Sequence, residues 1–214
     1  MTLVLASMSA RRRELLSRLG VTFEVIPSSG EERPPRRDEA PEEYASELAR
    51  DKARVVSAGQ PDAVILAADT VVAVDNCLLG KPEYPAEARR MLELLRGRAH
   101  VVVTGVAVRS QGVEHWGRVV STVHMRAYSD ADIAAYIATG EPDDKAGAYA
   151  IQGIGGSLVH SVDGCLEAVI GLPLCLSTTL LSRCLANVSS TDELCHHLSG
   201  EKRFALKNSS RNWG

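Results

Sequence analysis

The sequence predicts an α/β fold, a mixed twisted sheet flanked by helices. Three observations carry this. Through the first half, short β-type runs alternate with helical periodicity, the pattern of crossover connections between parallel strands. In the middle, two long β-type runs at 99–108 and 113–126 flank Ser110-Gln111-Gly112, which reads as a hairpin turn and brings antiparallel pairing into the same sheet. The composition is globular: 214 residues, 45% hydrophobic and 24% charged, with a formal net charge of −3. Intrinsic disorder and collagen-like or mucin-like repeats are excluded. A chain of this length holds one generous domain or two small lobes.

The elements follow in order. Residues 3–6 read as a short buried strand, followed by Ser7-Met8-Ser9 and a helix to about Gly20. Ser9 is its N-cap, and Leu15, Leu16 and Leu19 form its apolar stripe. Residues 21–27 alternate like a strand, and the polar, Pro-rich 28–40 reads as a loop. A helix spans 41–58, opening with Pro41 and acids in its first turn. Residues 63–74 are β-rich, and 85–96 are helical and ended by Gly97. Beyond the hairpin, 130–138 forms a helix capped by Gly140, and 140–156, with five glycines, reads as a structured loop. A second hairpin is expected at 158–170 around Asp163-Gly164, and helix returns from Leu174. Residues 1–187 form the expected domain; 188–214 form a C-terminal extension whose last ten or so residues are expected to fray.

Composition also bounds partners and compartment. A slightly acidic balance argues against a nucleic-acid polymer as partner. Two Trp, two Phe and five Tyr imply an aliphatic core and leave few rings for base stacking. The apolar stretch at the start of the sequence is too short for a signal-peptide core, and no run approaches a membrane span. Five cysteines without a CxxC pair suit reduced thiols. A cytoplasmic location with no membrane partner is expected.

Charge intrudes where such a fold should be apolar. Lys52 falls within the stripe of Tyr44, Ala45, Leu48, Val55 and Val56, so it must snorkel, pair or face a polar cavity. Asp69 interrupts a nearly continuous apolar β run, which is costly unless the carboxylate is paired, hydrogen-bonded or metal-bound. It either caps a turn at the strand end or stands at a strand's carboxyl end, where α/β folds build their sites; the site reading is favoured. Arg11, Arg12 and Arg13 oppose the dipole at a helix start, which an anion such as phosphate would explain and a solvated basic face would equally satisfy. Lys81 and Lys145 add cations. Glu31-Glu32 with Asp69 can supply oxygen ligands to magnesium bridging phosphates, or the pair is solvated loop charge. There is no GxxxxGK[ST], no GxGxxG after the first strand, no GxSxG, and no zincin spacing among the six His.

Taken together, LASMSARRRELL at 5–16, Ala68-Asp69-Thr70-Val71-Val72, Gly80-Lys81-Pro82, GEPDDKAGAYAIQG at 140–153 and VIGLPL at 169–174 resemble the Maf family of nucleoside triphosphate pyrophosphatases, in order over residues 2–185. More narrowly, the chain resembles the YhdE-type branch that acts on dTTP and UTP. The resemblance implies hydrolysis between the α- and β-phosphates, giving a nucleoside monophosphate and pyrophosphate, with a divalent cation, Mg²⁺ or Mn²⁺. It also implies an elongated two-lobed fold with a central cleft, related in shape to inosine triphosphate pyrophosphatases.

Position by position, Asp69 matches the family's proton acceptor, and Arg11, Thr70 and Gln152 match positions that set base specificity. Ser7, Arg12, Glu32, Lys52 and Lys81 match the remaining polar site residues. Glu32 and Asp69 are the expected metal ligands. The implied substrates are dTTP and UTP, with modified pyrimidine nucleotides as further candidates, in house-cleaning of nucleotide pools. The nucleotide is the expected partner, and a homodimer is left open. Ala10 stands where the family has proline, and Ala150 where glycine is common. Two other functions compete: the sister branch acting on 7-methyl-GTP, and a nucleotide-binding regulator of cell division with little turnover. Arg11, Thr70 and Gln152 argue against the first; the intact set of Asp69, Glu32, Lys52 and Lys81 argues against the second.

Overall fold

The computed structural model describes residues 1–30, 32–185, 188 and 204–208. One eight-stranded sheet contains β1 Leu3–Leu5, β2 Phe23–Val25, β3 Val64–Val74, β4 Cys77–Leu79, β5 Ala99–Ser110, β6 Val113–Met125, β7 Val159–Asp163 and β8 Phe204–Asn208. Its order is β2-β1-β3-β5-β6-β7, with β4 added to β3 and β8 added to β6. β1 runs parallel to β2 and β3, and the other pairs are antiparallel, so the sheet is mixed as predicted. The helices are α1 Ala10–Ser17, α2 Pro41–Ala58, α3 Pro85–Leu95, α4 Asp130–Ile137, α5 Leu166–Ile170 and α6 Leu174–Leu181. Among the described residues no helix is long and apolar enough to cross a membrane.

Alternation along β3 explains how the sheet is covered. On one face, Val64, Leu66 and Ala68 join a core with Leu15 and Leu16 of α1, Ala168 of α5 and the leucines of α6. Farther along the same face, Val72 and Val74 join a second core with Met91, Leu92 and Leu95 of α3 and Ile133 and Tyr136 of α4. Thr70 stands between the two, opposite Thr104 of β5. The other face is covered by α2. There Ile65 and Ala67 pack with Ala49, Ala53 and Val56, while Val71 packs with Ala45 and Leu48. Asp69 lies between those clusters, opposite Gly105. A polar seam therefore crosses both faces of the sheet at one level, and apolar cores lie to either side.

Gly105 sets how closely α2 approaches. A Cβ there would lie 2.6 Å from the Ala45 carbonyl carbon and 2.8 Å from Ser46 Cα. Any side chain at this position would lift the helix off the strand. At its far side α2 is fixed by Glu114 of β6, a buried carboxylate that accepts from Arg50 at 2.7 Å, from Arg54 at 3.2 Å and from Arg109 at 3.4 Å. Arg50 and Arg54 bracket Lys52 in sequence, so this network fixes the rotation of the helix that carries it.

The structure corrects four expectations. The second hairpin at 158–170 does not form: only β7 is extended, and α5 follows. Gly164, at φ +120°, packs on Ser121, whose hydroxyl bonds both the N–H and the C=O of Cys165 and starts the helix there. A short apolar run such as LEAVI fits buried strand and buried helix equally well from periodicity. β4 was not predicted; Asp75 and Asn76, both at positive φ, turn the chain back onto β3. Phe204–Asn208 forms a strand on β6 where fraying was expected. The first helix stops at Ser17, with a turn to Gly20 at φ +66°. Its predicted start stands: Ser9 accepts from Arg12 N at 3.4 Å as the N-cap.

Candidate active site

The sheet leaves one opening in its interior. β1 pairs with β3 only at Val64–Leu66 and β4 only at Val72–Val74, so along that edge residues 67–71 meet neither strand. A cleft of about 950 Å³ opens at this gap. Diverging neighbours of a central strand create the kind of crevice in which open α/β sheets place ligands. All nine residues singled out from the sequence line it: Ser7, Arg11, Arg12, Glu32, Lys52, Asp69, Thr70, Lys81 and Gln152. Glu31 lies outside the described residues.

Lys52 does not snorkel. Its ammonium bonds the carboxylates of both Asp69 and Glu32, the latter at 2.6 Å. Asp69 is buried, and desolvation pushes its carboxyl above the usual range, against the pull of Lys52 and Arg12. Burial also opposes ionisation of Glu32. There, however, the hydrogen bond and charge of Lys52, with Lys81 and Arg12, prevail and hold the carboxyl below its ordinary value. Glu32 is placed by its neighbour: Arg33 is paired with Glu39 at 2.5 Å, and its carbonyl accepts from Tyr44 Oη at 2.7 Å. Val55, expected in the buried stripe of α2, is instead exposed, and small residues (Ala45, Ala49 and Ala53) form the contact face.

On the opposite face of β3, Arg12 is held at three points. It donates to Gly171 O at 2.9 Å, to Ser7 Oγ at 3.3 Å and to Thr70 Oγ1 at 3.2 Å. Burial lowers its pKa, with the charge of Asp69 opposing and that of Arg11 adding. Gly171, at φ +130°, brings its backbone so near that a Cβ would sit 3.4 Å from both Arg12 Nε and Thr70 Oγ1. Arg11 extends from the same helix start. Lys81 stands exposed on the rim beside Gly80, whose carbonyl accepts from Gly147 N at 3.0 Å.

Gln152 is exposed on the far wall, in the glycine-rich loop. The anchor of that loop is Glu141, which the sequence reading had not assigned. Its carboxylate accepts from Ile154 N at 2.8 Å, Gly155 N at 2.9 Å and Tyr136 Oη at 2.9 Å. Gly153 makes room for it; a Cβ there would lie 2.5 Å from the Glu141 carboxyl carbon. Behind the same wall Tyr149 Oη lies 2.8 Å from Nε2 of buried His100. Thr104 was also missed. Its signal was a second polar residue interrupting an apolar β run, but only the register that sets it opposite Thr70 gives that signal meaning.

These observations define an α/β protein with a cation-lined cleft at the open edge of a mixed sheet. The Maf-like protein family matches residues 2–184, and the chain belongs to that family. It is 48% identical over 183 residues to a dTTP/UTP pyrophosphatase of Cereibacter sphaeroides, covering 85% of this chain and 94% of that protein. It is 51% identical over 194 residues to a dTTP/UTP pyrophosphatase of Thermomicrobium roseum, covering 90% and 88% respectively. Among solved structures, a nucleoside-triphosphatase (dITP/XTP pyrophosphatase) of Mycobacterium abscessus is similar at 18% identity and a TM-score of 0.39, over 60% of this chain and 76% of that one.

Proposed function

We propose that the protein is a pyrophosphatase that hydrolyses dTTP and UTP, and modified pyrimidine nucleotides of the same shape, to the monophosphate and pyrophosphate. One observation carries the reading: a buried carboxylate, Asp69, faces Lys52 and Arg12 in a cleft that also holds Glu32, Lys81 and the exposed amide of Gln152. The family match and the names of the two relatives support the same substrates.

In this reading Arg12, Lys52, Lys81 and the free N–H groups at the start of α1 neutralise the triphosphate. Asp69 accepts a proton from water. The water oxygen bonds the α-phosphorus, the bond from that phosphorus to the bridging oxygen breaks, and pyrophosphate leaves with the electron pair. Burial suits Asp69 to this role because a carboxyl raised above its usual range is a better proton acceptor. Gln152, which can both donate and accept, meets the base edge.

The donor set suits a cation such as Mg²⁺ or Mn²⁺. Glu32 and Asp69 already converge on one positive charge, and Mg²⁺ usually takes one or two carboxylates with substrate phosphates completing its shell. Among the described residues there is no group of three or more His, Cys, Asp or Glu able to hold a metal, so phosphate oxygens would have to complete the coordination. When bound, the cation would offset charge on the phosphates. Within this proposal the enzyme is cytoplasmic and acts on free nucleotides; its mass in solution tests the homodimer.

The test is pyrophosphate release from dTTP, UTP, CTP, GTP and 7-methyl-GTP, with Mg²⁺, with Mn²⁺ and with chelator. dTTP and UTP should lead, and chelator should abolish release. A lead by 7-methyl-GTP would reassign the chain to the sister branch. Tight nucleotide binding without pyrophosphate release would make it a regulator. A Gln152→Ala variant with an unchanged dTTP-to-GTP preference would remove Gln152 from base reading.

A further inference from the structure

The hydroxyl proton of Thr70 is aimed from behind the site. Thr104 is fully buried, with Oγ1 2.6 Å from the carbonyl oxygen of Ala168 and 2.8 Å from Thr70 Oγ1. A carbonyl only accepts, so the single Thr104 proton goes to Ala168, and Thr104 must accept the proton of Thr70. Thr70 in turn accepts from the Arg12 guanidinium at 3.2 Å, a group with no acceptor of its own. Thr70 is the one residue of β3 that is not buried, and it lines the cleft. Toward a ligand it offers a remaining lone pair and no proton.

We propose that Thr104 is a positioning residue for base selection: it locks Thr70 as a pure acceptor, which takes the imide N3–H of uracil or thymine and rejects cytosine, whose N3 is itself an acceptor. The inference rests on the dTTP/UTP reading and deepens it. Uracil and thymine carry one N–H donor between two carbonyls on the pairing edge. The ionised triphosphate carries none, so the imide and the sugar hydroxyls are the substrate groups that can satisfy a fixed acceptor. The lock separates uracil and thymine from cytosine, not pyrimidines from purines. Two facing acceptors cost more than one missing hydrogen bond, because both lone pairs stay unmet.

The test compares kcat/KM for UTP, CTP and 3′-deoxy-UTP in the wild type, Thr104→Val and Thr104→Ser. Valine keeps the shape of threonine but frees the Thr70 proton to turn into the cleft. The UTP-to-CTP ratio should narrow by about tenfold or more, with CTP turnover rising as UTP turnover falls. Serine should restore the wild-type ratio, and 3′-deoxy-UTP should track UTP throughout. An unchanged ratio in a folded Thr104→Val protein overturns the lock. A loss confined to substrates with a 3′-hydroxyl also overturns it, because the sugar would then be the donor. Should Thr104→Val not fold, Thr70→Ser and Thr70→Val answer the same question: serine must keep the ratio and valine lose it, and equal ratios overturn the proposal. A wild type that cleaves UTP and CTP alike sinks the lock and leaves the pyrophosphatase reading standing. One that cleaves no nucleotide sinks both.

Discussion

Lys52 of α2 bonds the buried carboxylate of Asp69 on β3 and, with the same ammonium, Glu32 of the preceding loop. The two partners of this lysine make opposite predictions when it is disturbed. Asp69→Asn removes the carboxyl whose ionisation burial opposes and leaves Lys52 paired with Glu32. Pyrophosphate release should fall by about 100- to 10,000-fold, while thermal stability stays within about 1 kcal/mol of wild type. Lys52→Met instead strands a buried carboxylate, costing on the order of 3 kcal/mol as well as activity. Combining the two should recover the stability and none of the activity. A double variant as unstable as Lys52→Met would show that the pair is not what couples these residues.

Gly105 is the reason that pair can form. Its absent Cβ would press on the backbone of Ala45 and Ser46, which cannot swing aside as a side-chain tip can. Gly105→Ala should cost about 1–3 kcal/mol through overpacking. Activity should fall further than stability accounts for, since a shift of about 1 Å in a catalytic group costs on the order of 100-fold. Unfolding in urea set against turnover at a temperature where the variant is fully folded measures both. Undiminished turnover in the folded variant would mean that α2 height does not control Lys52.

How much of this was legible in the sequence follows from the same residues. Asp69 and Lys52 stood out because each breaks a local apolar pattern, and local patterns are what a sequence displays. Their partnership was not legible, because it depends on the register of β3 on β5 and the height of α2, both set by Gly105 and the Glu114 network far along the chain. Arg11, Thr70 and Gln152 came as roles from family resemblance, not from spacing. Thr104 and Glu141 stayed hidden for one shared reason: each acts on a site residue through a hydrogen bond whose other end is a backbone group brought near only by folding. The second hairpin failed where a five-residue apolar run had no period long enough to separate strand from helix.

Glu141 gives a prediction about substrate affinity. Its carboxyl is held below its usual value: burial works against ionisation, and the N–H groups of Gly155 and Ile154, with Tyr136, outweigh it. Glu141→Ala leaves those donors without their acceptor and releases the loop that carries Gln152. KM for UTP should rise roughly tenfold, with a smaller change in kcat and a stability loss of about 1–3 kcal/mol. Steady-state kinetics on UTP decide it. A variant with wild-type KM would show that Gln152 is placed by something other than this anchor.

His100 sets an acid limit on the wall that carries Tyr149. Burial, with a small contribution from His124, lowers its pKa from the model value 6.5 to about 4, and its Nδ1 is buried without a partner. Between those two values the unfolded chain binds a proton at this residue and the folded chain does not, so stability rises with pH across the window and drains away as pH falls through it. At about 1.36 kcal/mol per unit, the loss on going from neutral pH to about 4 approaches 3 kcal/mol. Carboxylates add their own losses near the acid end, so the informative quantity is a difference. Gln in place of His keeps an acceptor for the Tyr149 hydroxyl but does not titrate. Urea unfolding of wild type and His100→Gln at steps between pH 7 and 4.5 should therefore give curves that converge or cross as acid is added, with the variant gaining on the wild type. Parallel curves over that interval would mean that His100 takes up its proton in the folded protein, and that the Tyr149 wall is held by other contacts.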